Sequence, residues 1–479
     1  MFSHKRFETN QVGLPTLTLE KGGNPMDTIA AIATPHAAGG IAVIRISGEN
    51  ALAIAGACFR SASGKIPAEM QGYTCAYGTF LDEQGREMDD GILTIFRAPH
   101  SYTGEDVAEL SCHGGIYVTE QLLRAVLHAG AVPAQPGEFT RRAFLAGKMT
   151  LTQAEAVMDV IGAAGKRELE FAHAQQNGAL YHRVQQITQG IVRSLGDLAA
   201  WADYPEDEIP AVTPESLREA LAPVLAQLDE TLATYDYGRI LQSGVSAVIV
   251  GKPNVGKSTL FNLLTGSQRS IVTEIAGTTR DVVEEQIRLG NVTLRLSDTA
   301  GLRETEDVIE QMGVQIAEER LQAADLILAV FDTTRPLDGD DLRMLEQLPE
   351  KPVIAIVNKS DQETKLDIRT LQERFGHVIF MAAKAGDGLE ELRKTVEEMF
   401  YQAKVTPELG IVANARQKQC LETAKGQILQ ALEALDAGEM LDGVTVLLEE
   451  AADALLTLTG ERVSEAVVND VFSRFCVGK

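Results

Sequence analysis

Apolar and polar positions follow two rhythms along this chain. Apolar runs at Val245–Val250 and at residues 352–357, and an alternating run at 292–296, have the length of strands. Shorter β-type runs at 28–33, 40–46 and 91–96 lie among glycine-rich turns beside an amphipathic stretch at 120–129. They predict an α+β domain over residues 26–148. From Thr152 the apolar spacing becomes helical: Thr152 and Glu155 read as a T-x-x-E capping box ahead of Val157, Val160, Ile161 and Ala164. The same spacing carries Leu217, Leu221, Val224, Leu228 and Leu232, after a Thr213-Pro214 start, and reaches Tyr235. It resumes at Leu432, Leu435, Met440, Leu447 and Leu448. These rhythms predict a multi-domain α/β and α chain. A helical domain in two parts, 149–243 and 401–479, packs upon itself, and a mostly parallel α/β domain at 244–400 is inserted between the parts.

The inserted domain carries recognisable chemistry. Gly251-Lys252-Pro253-Asn254-Val255-Gly256-Lys257-Ser258 fits G-x-x-x-x-G-K-[ST] directly after the first apolar run. Backbone N–H groups of such a loop, Asn254 to Thr259 here, point at phosphates. Lys257 adds a point charge on the outer phosphates, and the Ser258 hydroxyl can hold Mg²⁺. Asp298-Thr299-Ala300-Gly301 follows the alternating run and offers a carboxylate that reaches Mg²⁺ through water and a glycine N–H for the γ-phosphate. Asn358-Lys359-Ser360-Asp361 follows the third run and fixes the base. The Asp361 carboxylate accepts from N1–H and the exocyclic amine of guanine, a pair of donors that adenine lacks. Three motifs in this order, each after a strand-like run, predict a Ras-like P-loop GTPase that takes GTP rather than ATP.

Two departures bear on hydrolysis. Where many small GTPases have a glutamine after the D-x-x-G glycine, this chain has Leu302, which cannot orient water. The groups near enough in sequence to replace it are Glu304, Glu306, Asp307 and Glu310, a stretch that reads equally well as a solvated acidic loop. The charge of the transition state must also be met, by Arg280 in cis, by a partner's arginine, or by a cation near Asn254.

Composition bounds the remainder. With 479 residues the chain is too long for one core, and 45% apolar content with only 5% aromatic suggests a soluble, helix-rich protein. No run approaches the roughly 18 apolar residues of a membrane span. Cys58, Cys75, Cys112, Cys420 and Cys476 are odd in number and form no C-x-x-C pair, which fits a reducing cytoplasm and indicates no zinc site. A net charge of −25 excludes a broad basic surface. Basic pairs such as Arg141-Arg142 and Lys166-Arg167 are few, so a nucleic acid would be held with help. Residues 1–25 carry neither a secretory nor a transit pattern and read as a disordered extension, or as an artefact of start-site choice with Met26 as the start.

The segment Ser473-Arg474-Phe475-Cys476-Val477-Gly478-Lys479 does not fit a prenylation box. Cys476 reads either as an inert core residue or as the thiol of a flexible tail, activated beside Arg474 as a nucleophile or proton donor. Taken with Gly39-Gly40-Ile41, Ser101-Tyr102-Thr103-Gly104-Glu105-Asp106, His113-Gly114-Gly115, Pro136-Gly137-Glu138-Phe139-Thr140, Ile275-Ala276-Gly277-Thr278-Thr279-Arg280-Asp281 and Asp298-Thr299-Ala300-Gly301-Leu302-Arg303, it closely resembles the MnmE (TrmE) family of tRNA modification GTPases over residues 26–479. The resemblance implies an N-terminal folate-binding and dimerisation domain, a helical domain and an inserted GTPase. It further implies a homodimer acting with an FAD-containing MnmG-type partner as a heterotetramer. The substrate is then C5 of the wobble uridine, position 34, of certain tRNAs, which becomes aminomethylated or carboxymethylaminomethylated. The one-carbon donor is a 5-formyl- or methylene-tetrahydrofolate derivative, and no membrane is involved.

Carried over by matching positions, the resemblance assigns K⁺ to Asn254, Thr273, Ile275 and Thr278, so that the cation supplies the missing charge. It assigns Mg²⁺ to Ser258 and Thr279, places Glu274, Ala276 and Gly277 around the nucleotide, and makes Glu310 the residue that orients water. Folate falls to Arg45, Glu109, Lys148 and Lys479, and Cys476 becomes the cysteine of the modification reaction. One departure concerns guanine O6: the usual S-A-[KR] loop reads Ala382-Ala383-Lys384, where the Ala383 N–H can still donate. A competing reading from another class is a non-catalytic GTP switch in ribosome assembly. Such factors carry basic RNA-binding appendages, whereas this chain is acidic and carries F-C-V-G-K.

Overall fold

In a computed structural model, the structure describes residues 27–203, 212–267, 284–297, 320–400, 406–438 and 440–479. The chain divides into two compact units, one of residues 1–158, 176–225 and 420–479, the other of 159–175 and 226–419.

The first unit is built on a seven-stranded sheet: β1 Ile29–Ile32, β2 Ile41–Ser47, β3 Phe59–Ser61, β4 Thr74–Leu81, β5 Glu87–Phe96, β6 Val107–His113 and β7 Val132–Pro133, in the order β3-β4-β5-β6-β2-β1-β7. All neighbours are antiparallel except β1 and β7. Period-two alternation sends Ile44, Ile46, Leu93, Ile95 and Leu110 into a core shared with the helices Ala51–Cys58 and Ile116–His128. It leaves Arg45 and Glu109, cross-strand partners on β2 and β6, on the other face. That face meets the helix Glu138–Leu145, whose Phe139 is fully buried with Ile29 and Ala31.

The helices depart from the predicted spacing at several points. Ile161, expected on an apolar face, is 48% exposed, and Ala164 lies beyond the end of its helix at Gly162. Helix Leu151–Gly162 begins one residue before Thr152, which is buried inside it. The capping box is Thr150 and Gln153: the Gln153 N–H donates to Thr150 Oγ1 at 3.3 Å and the Thr150 N–H to Gln153 Oε1 at 2.9 Å. Met440, expected on an apolar helix face, precedes the helix Leu441–Thr459 as its N-cap residue and is 83% exposed. Helix Ala179–Asp203 packs against Leu441–Thr459, and a short helix, Glu465–Ser473, follows.

The second unit holds a six-stranded sheet: β8 Val245–Val250, β9 Glu284–Leu289, β10 Val292–Ser297, β11 Leu326–Asp332, β12 Val353–Asn358 and β13 His377–Met381, in the order β13-β12-β11-β8-β10-β9. Only the β9/β10 pair is antiparallel. The runs at 245–250 and 352–357 fall on β8 and β12, inner parallel strands that are largely buried; β11 between them, every residue of which is buried, is not among the runs read from the sequence. Helices Lys257–Ser267, Gly339–Gln347, Ile368–Arg374 and Leu389–Phe400 accompany the sheet. The carboxyl ends of β8, β11, β12 and β13 deliver the loops of the nucleotide site, where open α/β sheets place their ligands.

Candidate functional site

After β8 the chain turns through Gly251 to Gly256 into the helix Lys257–Ser267. The turn needs left-handed backbone at Asn254 (φ 65°) and Gly256 (φ 102°). A Cβ on Gly256 would lie 2.1 Å from Asn358 Nδ2, so no side chain fits there. Lys257 Nζ donates to the carbonyls of Gly251 at 2.6 Å and Lys252 at 2.8 Å, which keeps the ammonium against its own loop. Val255 is buried beneath the turn, while Ser258 and Thr259 are exposed in the first helical turn, whose N–H groups favour an anion.

Asn358, at the end of β12, does more than its place in N-K-S-D suggests. Its buried Nδ2 donates to the Val255 carbonyl at 2.9 Å and its Oδ1 accepts from the Ala383 N–H at 3.1 Å. One side chain thus ties the phosphate loop to the Ala382-Ala383-Lys384 loop. The Ala383 N–H, expected to face guanine O6, is donated to Asn358 in this structure. Ala382 and Ala383 are buried, and Lys384 is exposed. Lys359, also left-handed (φ 62°), reaches the Asn254 carbonyl at 3.1 Å and pairs with Asp332 at the end of β11. Burial pushes the Asp332 carboxyl up, but the bonds from Lys359 and Thr334 outweigh it and hold the group below its ordinary value. Asp361 is exposed in the turn after β12.

Asp338 is a member of this neighbourhood that the motif reading missed. It caps the helix Gly339–Gln347 by accepting from the Asp340 and Asp341 N–H groups, and both its oxygens lie 2.6 Å from Lys252 Nζ. The Lys252 bond, ahead of the helix N–H groups, holds the Asp338 carboxyl well below its ordinary range, and Asp338 in turn raises Lys252. The capping pattern Asp338…Asp341 was the available signal. Thr273 to Arg280, Asp298 to Leu302, and Glu304, Glu306, Asp307 and Glu310 lie outside the described residues.

In the other unit, Arg45 Nε and Nη2 each lie 2.8 Å from Glu109 Oε1. The guanidinium sits between the rings of Tyr102, 5.8 Å away, and Phe139, 5.6 Å away. The tail docks here. Arg45 Nη1 donates to the Gly478 carbonyl at 3.4 Å, the Gly137 N–H to the Cys476 carbonyl at 3.3 Å, and the Phe139 N–H to the Lys479 carbonyl at 3.2 Å. A Cβ on Gly478 (φ 97°) would meet the Ile32 carbonyl at 2.4 Å. Phe475 is buried against Phe472, 5.2 Å between ring centres.

The tail, read as flexible in one of the two alternatives for Cys476, is an ordered one, because its backbone satisfies the N–H groups at the start of helix Glu138–Leu145. Cys476 is exposed rather than a core residue, and Arg474 pairs with Asp470 at 2.7 Å rather than with the thiol. Burial lowers the Lys479 ammonium, Arg45 adds to that, and Glu109 opposes it. Arg45, Glu109 and the tail are brought together, whereas Lys148 Nζ donates to the Pro99 carbonyl at 2.8 Å.

Residues 28–148 match the model of the GTP-binding protein TrmE N-terminus, and residues 151–476 that of the MnmE helical domain. The tRNA modification GTPase MnmE of Geobacillus kaustophilus is 41% identical over 458 residues, covering 95% of this chain and 99% of the relative. That of Geobacter metallireducens is 41% identical over 456 residues, with the same coverage. Among solved structures, Era from Aquifex aeolicus bound to GDP and AlF4⁻ aligns with a TM-score of 0.28 and 28% identity, covering 39% of this chain and 67% of that one. The G domain of FeoB from T. maritima gives 0.25 and 32%, covering 32% of this chain and 97% of that one. Matching models over both units and curated relatives aligned along nearly their whole length place this chain in the tRNA modification GTPase MnmE family.

Proposed function

We propose that this GTP-hydrolysing enzyme is stimulated by K⁺. With an FAD-containing partner of MnmG type, it converts C5 of the wobble uridine of certain tRNAs to an aminomethyl or carboxymethylaminomethyl form. The reading rests on full-length similarity to tRNA modification GTPases, joined to one local observation: Asn358 clasps the phosphate loop and the base-side loop together. Lys257 and the loop N–H groups would hold the phosphates, with Ser258 and Thr279 on Mg²⁺ and Asp361 on guanine. Asn254, Thr273, Ile275 and Thr278 would hold K⁺, a weakly hydrated cation whose charge replaces an arginine finger. Asn254 suits this role because it is exposed and its backbone is fixed by the Lys359 bond.

The donor set of the first unit also fits a folate. Arg45 and Glu109 offer a guanidinium and a carboxylate side by side, the rings of Tyr102 and Phe139 flank them, and Lys479 adds an ammonium. A bound tetrahydrofolate derivative supplies the one-carbon unit. Arg45, Glu109, Tyr102, Phe139 and Lys479 orient it and exclude water, and the exposed Cys476 thiol stands at the same docked segment. The active form is a cytoplasmic homodimer whose GTPase domains approach when GTP and K⁺ are bound and part on hydrolysis, moving the folate site with them.

Steady-state GTP hydrolysis in KCl and NaCl at equal ionic strength tests the cation. Acceleration in K⁺ on the order of 10²-fold is expected; equal rates would remove the K⁺ assignment and favour a ribosome-assembly switch. Cys476→Ser is expected to leave GTP hydrolysis at the wild-type rate and to abolish the modified uridine. Mass spectrometry of tRNA nucleosides from cells carrying only the variant reads the outcome, and persistence of the modified nucleoside would return Cys476 to a structural role.

A further inference from the structure

Arg142 is a buried charge that the assignments above leave unused. Arg142, in the helix Glu138–Leu145, is 5% exposed, and its guanidinium joins three separate segments. Nη1 donates to both oxygens of Glu105, at 3.2 and 3.1 Å, while Nη2 donates to Glu138 Oε1 at 2.8 Å and to the Asp27 carbonyl at 2.9 Å. Each carboxylate is then tied onward. Glu105 Oε2 accepts from Ser47 Oγ at 2.7 Å, and that hydroxyl lies 2.8 Å from Thr103 Oγ1. Glu138 Oε2 accepts from the Gln135 N–H at 2.8 Å.

The segments fastened by Arg142 are the ones that shape the Arg45 pocket. The 101–106 loop carries Tyr102, and the first turn of the helix carries Phe139; these are the two rings around Arg45. Tyr102 Oη and Thr140 Oγ1, 2.9 Å apart, repeat the connection on the pocket side. The Gly137 and Phe139 N–H groups that receive the tail belong to the same turn. Arg142 itself has no contact with Arg45, Glu109 or residues 476–479 among the described interactions.

We propose that Arg142 is a positioning residue. Its fork neutralises Glu105 and Glu138 together and so fixes the distance between the 101–106 loop and the helix that carries Phe139. That distance sets the ring clamp on Arg45 and the docking of the tail. Removing the guanidinium leaves two partly buried carboxylates facing each other with no cation between them, which drives the loop and the helix apart. Lysine keeps a charge but offers one point donor where the site uses a planar fork. The proposal rests on the folate reading for its ligand, but not for the docking of the tail.

Three variants of the full-length protein test it: Arg142→Met, Arg142→Lys and Glu105→Gln. Calorimetry with 5-formyl-tetrahydrofolate and hydrogen exchange at 101–106 and 476–479 are the readouts, with GTP hydrolysis as the control for folding. Arg142→Met is expected to weaken 5-formyl-tetrahydrofolate binding about tenfold or more. It should also speed exchange in those two segments while residues 44–46 of the sheet core and the GTP hydrolysis rate stay as in the wild type. Arg142→Lys is expected to recover part of the binding, and Glu105→Gln to weaken it less than Arg142→Met does. Exchange that rises across the whole sheet would make Arg142 merely structural and overturn the proposal. Wild-type affinity and a protected tail in a folded Arg142→Met protein would overturn it too. If the wild type binds no folate, the folate reading fails on its own, and tail exchange in Arg142→Met still decides the positioning role.

Discussion

Replacing Glu310 with alanine is expected to lower the rate of GTP hydrolysis by about 10²–10⁴-fold, the range associated with a positioned acid–base or water-orienting group. GTP affinity should stay near the wild-type value. Leu302 stands where many GTPases place the glutamine that orients the attacking water, and a leucine side chain has no polar atom to offer. Glu310 is the carboxylate that the resemblance proposes for that task. Single-turnover hydrolysis separates the chemical step from nucleotide exchange, and fluorescent-GTP titration reads affinity. A variant that still turns over at the wild-type rate would transfer the role to another residue, with Glu304, Glu306 and Asp307 next in line. Loss of affinity together with loss of rate would instead mean that the carboxylate helps to build the site.

Gly256→Ala is expected to cost about 3 kcal/mol of nucleotide binding, roughly two orders of magnitude in Kd. Two independent causes add. The backbone at φ 102° is unfavourable for any residue with a Cβ, and the new methyl would lie 2.1 Å from Asn358 Nδ2. Moving Asn358 aside to relieve the clash would break its bonds to the Val255 carbonyl and the Ala383 N–H, so the phosphate and base sides of the site fail together. A double-mutant cycle isolates the second cause. In an Asn358→Ala background the clash is gone, and Gly256→Ala should cost markedly less than in the wild type. Additive losses in calorimetric Kd values would show that backbone strain alone is responsible.

What could be read from the sequence follows from how local each signal is. The phosphate loop, the N-K-S-D turn and the strands β8, β10 and β12 are contiguous segments whose residue types are dictated by their own backbone or ligand, and they lie where their spacing put them, whereas β11 was not read. The capping box misplaced at Thr152 shows a limit of the same method. Thr150-x-x-Gln153 and Thr152-x-x-Glu155 both satisfy the pattern, and only the tertiary burial of Thr152 decides between them. Met440 failed for a related reason, since periodicity does not mark where a helix begins. The second task of Asn358, the hold of Asp338 on Lys252, and the docked state of the tail were not legible, because each joins residues far apart in sequence. Cys476 reads as either a core residue or the thiol of a flexible tail, because nothing near it in sequence accounts for its exposed place on a docked segment. The N–H groups that hold the segment belong to Gly137 and Phe139.

That long-range docking also has a consequence for biosynthesis. The sheet that holds Arg45 and Glu109 is made from the first part of the chain, yet the segment that completes the pocket is more than 300 residues further on. At about 5–20 residues per second of synthesis, the first unit stands with its pocket unfinished for roughly a quarter of a minute to a minute. The Gly137 and Phe139 N–H groups meet water during that time, and the GTPase unit emerges before the tail can dock. Completion of the pocket is thereby a late event in the life of each nascent chain, and a chain cut before Cys476 keeps its sheet and its GTPase motifs but lacks one wall of the Arg45 pocket.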